Sequence, residues 1–258
     1  METLEKSIII SLDGNNDDLF PYLPYLLQDL WEIGSNPDVI INLLQKQQFA
    51  PDPHFHVLDL GCGKGAISVR LAHKFGFQIH GIDGMPAFIA EGQQQAQKYQ
   101  VSEHCQFEVG DIRQQVKKLK NYDLIILGSI GPVLGDVETT LQQVKLCLKP
   151  TGYIILDDGY VPDANQANAP HYPTRTAVLT QIQRAGLKIV AEYYNERSDI
   201  VESDTYIFKK IKQRAEELKQ QHPEKADLFD AYVKAQAEEN SILENQIKCV
   251  TWLLQRIE

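Results

Sequence analysis

Residues 57–72, VLDLGCGKGAISVRLA, restrict the fold of this chain more than any other stretch. A short apolar run of strand type enters a turn with glycine at 61, 63 and 65, and Ile67, Val69 and Leu71 then recur among the apolar positions of a helix. The stretch reads as a strand, a tight turn and a helix N-terminus. Glycine has no Cβ, so the turn can take positive φ and admit a ligand close to the backbone. The first amides of the helix have no intrahelical partner and remain available to that ligand. The spacing Asp59-x-Gly61-x-Gly63-x-Gly65 differs from the GxGxxG of a dinucleotide fingerprint. By itself such a cluster also suits a strand-to-helix turn that binds nothing.

Two further acids fall at corresponding places. FQIHGID, residues 77–83, reads as the next strand, and Asp83 at its C-terminal end can accept from a ribose 2′- and 3′-hydroxyl pair. FEVGDI places Asp111 and Ile112 just after a third strand, where a carboxylate and an apolar side chain can hold the amine and one face of an adenine ring. Each aspartate taken singly is equally suited to capping a helix. Their repetition at consecutive strand ends favours a nucleoside-like ligand.

LDLGCGKG, GIDGMP, VGDI, YDLIIL and LKPTGYIIL, in that order, resemble the successive motifs of the class I S-adenosylmethionine-dependent methyltransferases. The resemblance covers about Phe55 to Glu192 and the last dozen residues. It implies an α/β fold, a doubly wound Rossmann-like seven-stranded sheet with an antiparallel last strand, and S-adenosylmethionine lying across the carboxyl ends of the first strands. It implies that Gly61, Cys62 and Gly63, with Asp59 behind them, face the methionine part of the cofactor. Asp83 would hold the ribose, Gly84 and Met85 the ribose and adenine edge, and Asp111 with Ile112 the adenine. Gly128 and Ser129 would lie where methyl donor and acceptor meet. Family members that methylate amino groups or bases of nucleic acids usually carry an Asn/Asp-Pro-Pro-aromatic tetrapeptide there, which this chain replaces with Gly128-Ser129-Ile130-Gly131-Pro132.

Charge points the same way. Twenty-five Lys and Arg against 35 Asp and Glu give a net charge of −10, with the basic residues scattered. Nucleic-acid binding needs a basic footprint that neutralises phosphates, so the expected partner is a small-molecule methyl acceptor and not nucleic acid. No apolar run approaches the ~20 residues of a membrane helix, and METLEKSIIISLDG does not resemble a secretory signal. The expectation is a cytoplasmic protein without a membrane anchor. The four cysteines, Cys62, Cys105, Cys147 and Cys249, lack metal-ligand spacing and are expected to be free thiols.

Three parts follow from the pattern. Residues 1–53 form an N-terminal helical cover, 54–203 with 246–258 the methyltransferase core, and 204–245 a helical cap inserted before the last strand. In the first part Leu19, Phe20, Leu23, Leu26, Leu27, Leu30 and Trp31 make an apolar stripe of helical period, with Pro21 and Pro24 delaying the regular helix and Gly34 ending it. Asn36-Pro37 reads as N-cap and first residue of another helix. Tyr22 and Tyr25 are expected at the acceptor pocket, as is Tyr160.

The core should alternate strands and helices at 55–60, 64–75, 77–83, 86–99, 105–109, 112–119 and 122–128, then helix 134–148, a strand at 153–157, helix 174–185 and strand 187–194. Asp157-Asp158-Gly159-Tyr160 puts two carboxylates on the ligand edge. Asp158 and His171 are the candidate general bases; the alternatives are a turn cap and a solvated loop residue. Metal-dependent catechol-type relatives need an acid at the end of the fourth strand, where Gly128-Ser129 stands, so no metal is expected. The insertion reads as helix 204–221 and a second helix after His222-Pro223, serving as a lid or as a homodimer contact. Arg214, Glu216, Glu217 and Lys219 read as a solvated helix face. A nicotinamide-dependent oxidoreductase and a catalytically inactive binding or interaction module are the competing readings.

Overall fold

The computed structural model describes residues 2–164 and 172–257. Strands β1 (His56–Leu60), β2 (Gln78–Asp83), β3 (Cys105–Val109), β4 (Tyr122–Gly128), β5 (Leu148–Tyr160), β6 (Leu187–Tyr194) and β7 (Lys248–Arg256) form one sheet in the order β3-β2-β1-β4-β5-β7-β6. Only β7 runs antiparallel to its neighbours, β5 and β6. The doubly wound sheet with a reversed last strand is therefore as expected.

Strand periodicity divides the core between the two faces. Leu58, Leu60, Ile125 and Leu127 pack with α7 (Val137–Val144) and α8 (Arg175–Arg184). Their sequence neighbours Val57, Leu124 and Ile126 pack on the other face with α3 (Pro37–Lys46) and α4 (Ala66–Phe75). Helix α5 (Pro86–Lys98) follows β2, and the one-turn α6 (Ile112–Gln115) follows β3. Both faces are covered, so the exposed carboxyl ends of β1, β2 and β4 are left as the place for a ligand.

The N-terminal part departs from its sequence reading. Helix α1 (Leu4–Ser11), capped by Thr3, occupies a stretch where no element was expected. The apolar stripe does not make one regular helix: Asp17–Tyr22 is 3₁₀ and α2 is the single turn Leu23–Leu26. Pro21 and Pro24 each lack the amide that an α-helical ladder requires, yet Leu19, Leu23, Leu26, Leu27 and Leu30 are all buried. The stripe specifies burial correctly and regular structure incorrectly. Asn36 does cap α3, its side chain accepting from the Asp38 amide.

Strand β5 is longer than expected because β7 pairs along it as far as Tyr160 opposite Lys248. Helix α9 starts at Arg197 instead of residue 204 and runs to Gln221, and α10 spans Ala226–Asn245. These two helices do not stand apart. Ile211, Ala215, Leu218, Phe229 and Tyr232 join Ile9, Leu19, Leu23 and Leu26 in one apolar cluster that also takes in Met85 and Phe88 of the core. The N-terminal segment and the insertion thus share a core above the sheet edge.

Candidate functional site

The glycine loop takes the conformation its residue types permit. Gly61, Gly63 and Gly65 all have positive φ, at 73°, 52° and 72°. Gly65 is the most constrained, since a Cβ there would lie 2.7 Å from Phe107 Cζ. Gly63 faces open space, with nothing within 4 Å of an added Cβ. The Gly61 and Cys62 amides donate to the Ile82 carbonyl at 2.8 and 3.0 Å, which pins the loop to the end of β2.

Asp83 completes this junction. Its Oδ2 accepts from the Gly63 amide at 2.9 Å and its Oδ1 from the Met85 amide at 2.8 Å. Burial pushes its pKa up, and the backbone donors at Met85, Gly63 and Gly84 oppose that shift. A carboxylate has about four acceptor sites, so at least one remains for a hydroxyl donor. Asp59, 1% exposed, accepts from Ser68 Oγ at 2.6 Å. Burial pushes it up to about 7, with the Ser68 bond acting the other way.

A narrow cavity with about 30 Å³ of room lies against this loop, on the scale of a single water, so the segment that walls it has to move outward to admit a cofactor-sized ligand. Trp31, Ile33 and Ser35 of the N-terminal segment form one wall, and Asp59, Gly61 and Gly63 are on the other. Trp31, Ile33, Ser35 and Lys64 were not among the sequence-derived candidates. Only Lys64 carried a signal, as a cation inside the glycine motif. A wider, open depression on α9 is lined by Arg197, Ser198, Val201, Glu202 and Thr205. Neither the strand-end aspartates nor the glycine loop line it, so the site is assigned to the narrower cavity.

At the end of β4, Ser129 has φ 53° and its amide donates to the Asp157 carbonyl at 3.0 Å. Its Oγ lies 2.9 Å from Ser35 Oγ and donates to Asp157 Oδ2 at 3.3 Å, while Thr251 Oγ1 donates to Asp157 Oδ1. Gly128 has Ile67 and Ser35 against it. These hydroxyls tie the cover, β4, β5 and β7 together beside the cavity. Asp158 is turned from Asp157 by the strand alternation, accepts from the Gly159 amide at 2.7 Å, and is pushed up to about 6 by burial. Its partner candidate His171 lies outside the described residues.

The remaining cofactor candidates are held by protein neighbours. Asp111 caps α6 and is gripped by Arg113, whose Nε and Nη2 donate at 2.9 Å and whose Nη1 donates to the Glu2 carbonyl at 3.2 Å. The Arg113 guanidinium holds the Asp111 carboxyl below its ordinary pKa. Ile112 is buried in the sheet core on the α7 side. Gly84 has Ile8 and Leu4 of α1 against it, at 2.7 and 3.0 Å from an added Cβ, and Met85 is buried in the cover cluster.

The three tyrosines turn elsewhere. Tyr22 packs edge-on against Phe229 and His222. Tyr25 donates to Glu217 at 2.7 Å beneath Arg214. Both therefore serve the junction with α9 and α10. Tyr160 is buried beside Trp252. Periodicity shows that a residue is buried, but not which neighbour it meets.

A family profile described as "Methyltransferase domain" matches residues 51–246. The chain belongs to this methyltransferase family. Among curated relatives it is similar to a probable chloroplastic tocopherol O-methyltransferase of Oryza sativa, 30% identical over 100 residues, 39% of this chain and 28% of that one. It is also similar to a reducing polyketide synthase of Aspergillus oryzae, 26% identical over 166 residues, 62% of this chain and 7% of that one. The match spans well under half the length of both.

Among solved structures, a methyltransferase of Geobacter sulfurreducens in complex with S-adenosyl-L-homocysteine superposes with a TM-score of 0.76 at 17% identity, covering 92% of this chain and 98% of that one. The [4+2]-cyclase SpnF superposes at 0.67 and 15% identity, covering 99% and 97%. These likenesses establish the methyltransferase fold. The cyclase among them is a concrete case of one fold serving different chemistry.

Proposed function

We propose that the chain transfers the methyl group of S-adenosylmethionine to a nucleophilic oxygen, nitrogen or carbon of a small-molecule acceptor. The observation that carries this reading is the Asp83 carboxylate, fixed by the Gly63 and Met85 amides beside an open glycine loop and keeping an acceptor site for a ribose hydroxyl. Asp83 would hold the ribose, the loop from Gly61 to Gly63 with Asp59 behind it the methionine end, and Ile112 with the Asp111 turn the adenine side. Gly84 and Met85 would be reached only at the edge where α1 rests.

The cofactor supplies an activated sulfonium methyl group when bound. The protein's task is then alignment and exclusion of water, and orientation of this kind is worth ~7–11 kcal/mol of barrier. The narrow cavity, walled by Trp31, Ile33 and Ser35, suits that task. A base is needed only for an acceptor that arrives protonated. Asp158, with its raised pKa, is the described residue available near the β5 end.

Residues 1–53 and 204–245 together are read as the cover of this site. Ile211, Ala215 and Leu218 of α9 and Phe229 and Tyr232 of α10 are spent on the N-terminal segment, which favours a lid over a dimer hairpin. A role without nucleic acid accords with the net charge of −10, and a cytoplasmic one with the four free cysteines. Among the described residues no helix is long and apolar enough to cross a membrane, and no cluster of His, Cys, Asp or Glu is arranged to hold a metal.

Isothermal titration with S-adenosylmethionine, S-adenosylhomocysteine and NADH tests the reading. Micromolar binding of the sulfonium and its product, with none of NADH, is expected. Binding of NADH alone would overturn it in favour of an oxidoreductase, and binding of none would favour an interaction module.

A further inference from the structure

Lys64 is a charged residue in an expensive place. Its side chain is 1% exposed, and an ammonium removed from water is costly unless it is paired and hydrogen-bonded. Nζ donates to the Leu27 carbonyl at 2.7 Å, pairs with Glu91 of α5 at 2.7 Å and lies over the Phe88 ring at 5.6 Å. The Lys64 carbonyl in turn accepts from Trp31 Nε1 at 3.0 Å. The residue that follows Gly63 in the loop therefore grips the N-terminal segment at two points, Leu27 and Trp31.

A second cation grips the same segment from the opposite side. Arg214 of α9 donates from Nε and Nη2 to the two carboxylate oxygens of Asp29 at 2.8 and 2.7 Å, and from Nη1 to Glu217 at 2.7 Å. Asp29 sits between Leu27 and Trp31. The forked geometry fixes direction as well as distance, which a lysine cannot do. The same segment continues through Ile33 and Ser35, the wall of the cavity, and ends at the Ser35 to Ser129 contact.

We propose that Lys64 and Arg214 are positioning residues which together set the segment Leu27–Ser35 against the glycine loop, so that cofactor affinity depends on an ion pair on α9 outside the cavity. The proposal rests on the reading that this cavity takes S-adenosylmethionine. Arg214 touches neither the loop nor the aspartates at the strand ends. Its influence passes through Asp29 to the wall, and Lys64 is the point where that wall meets the loop. The insertion thereby becomes part of the binding machinery, where its charged face would otherwise be read as solvated.

The test titrates S-adenosylhomocysteine into the wild type, Arg214→Ala, Asp29→Ala, the double variant and Lys64→Met, with amide hydrogen exchange of residues 27–35 read alongside. Arg214→Ala is expected to weaken binding about three- to tenfold and to speed exchange across 27–35. Lys64→Met should weaken binding at least about tenfold, because the Leu27 carbonyl loses its partner. The double variant should be no weaker than Arg214→Ala alone, since both changes break one link. Unchanged affinity in Arg214→Ala beside a wild type that binds would overturn the proposal, as would additive losses in the double variant. If the wild type binds no S-adenosylhomocysteine, the cofactor reading itself fails. The exchange arm then still decides whether the two cations hold the segment, and unchanged exchange in both variants would sink that claim too.

Discussion

The sheet edge and the cover above it are held together by opposite means. At the glycine-loop end of that edge, polar groups meet over short chain distances: Asp83 binds amides 2 and 20 residues away, and Asp59 binds Ser68, 9 residues on. In the cover, an apolar cluster is drawn from both ends of the chain, and its polar ties span 185 residues from Asp29 to Arg214, 192 from Tyr25 to Glu217 and 223 from Asp13 to Gln236. The first region is built by a single strand–turn–helix–strand unit, β1 to β2. The second exists only once distant segments have met. The cover can accordingly loosen while the sheet stays intact, as a site that must admit and release a ligand requires.

The largest expected effect separates the two regions. Phe229 is fully buried in the cover cluster, and Phe229→Ala should cost about 3–5 kcal/mol. Hydrogen exchange should then quicken in α1, α9 and α10 while β1, β4 and β5 keep their protection. Equal acceleration everywhere would show one cooperative unit and break the comparison. Asp83→Ala comes next. Loss of hydrogen bonding between the ribose and a charged acceptor amounts to roughly 3 kcal/mol, or about 100-fold in affinity for S-adenosylhomocysteine by calorimetry, while the amides of Gly63 and Met85 left unpaired lower stability in a chain that remains folded.

How much of this was legible beforehand follows the same division. The loop and the Asp59 and Asp83 positions could be read from residues 57–83, because glycine conformations and adjacent strand ends are local matters, while the seven-stranded sheet with its antiparallel last strand followed from the resemblance of the whole motif set out to Glu192 and the last dozen residues. Asp111 shows the limit of such reading: the capping role open to any aspartate at a helix start is the one its contacts display, together with Arg113. Tyr22 and Tyr25 were expected at the pocket and instead face α9 and α10, because a helical period gives the buried side and not the partner. Pro21 and Pro24 were seen to delay a helix, and here they replace it with 3₁₀ and a single turn. Arg214, read as solvated, pairs with a residue 185 positions earlier, which no local pattern encodes.

Acid should act on the two regions with opposite sign. Burial pushes Asp59 up to about 7, so the folded chain keeps this proton at pH values where the unfolded chain has lost it. Its contribution to stability is then greatest below the ordinary carboxylate range and falls as the pH rises towards 7. Asp59→Asn should remove that fall, seen as a change on the order of 2 kcal/mol in the difference from wild type between pH 4 and pH 7.5 in urea unfolding. In the cover, the Arg214 guanidinium holds Asp29 below its ordinary value. That tie contributes above the ordinary carboxylate range and is lost as the pH falls through the depressed value. Protection at residues 27–35, measured relative to the intrinsic exchange rate at each pH, should fall below pH 4, and unchanged protection there would count against the pair.

The smallest effect sharpens the division of labour among the tyrosines. Tyr25→Phe removes the bond to Glu217 and should cost about 0.5–1.5 kcal/mol in thermal unfolding, leaving cofactor affinity within about twofold of wild type. A larger loss of affinity would return Tyr25 to the pocket.

The most direct measurement is hydrogen exchange of the wild-type protein with and without saturating S-adenosylhomocysteine. The account predicts new protection in two separate stretches, the loop and strand end at 61–66 and 83–85, and the wall at 27–35. Protection confined to the flank of α9 around Arg197 and Thr205, or the absence of any at the glycine loop, would contradict it.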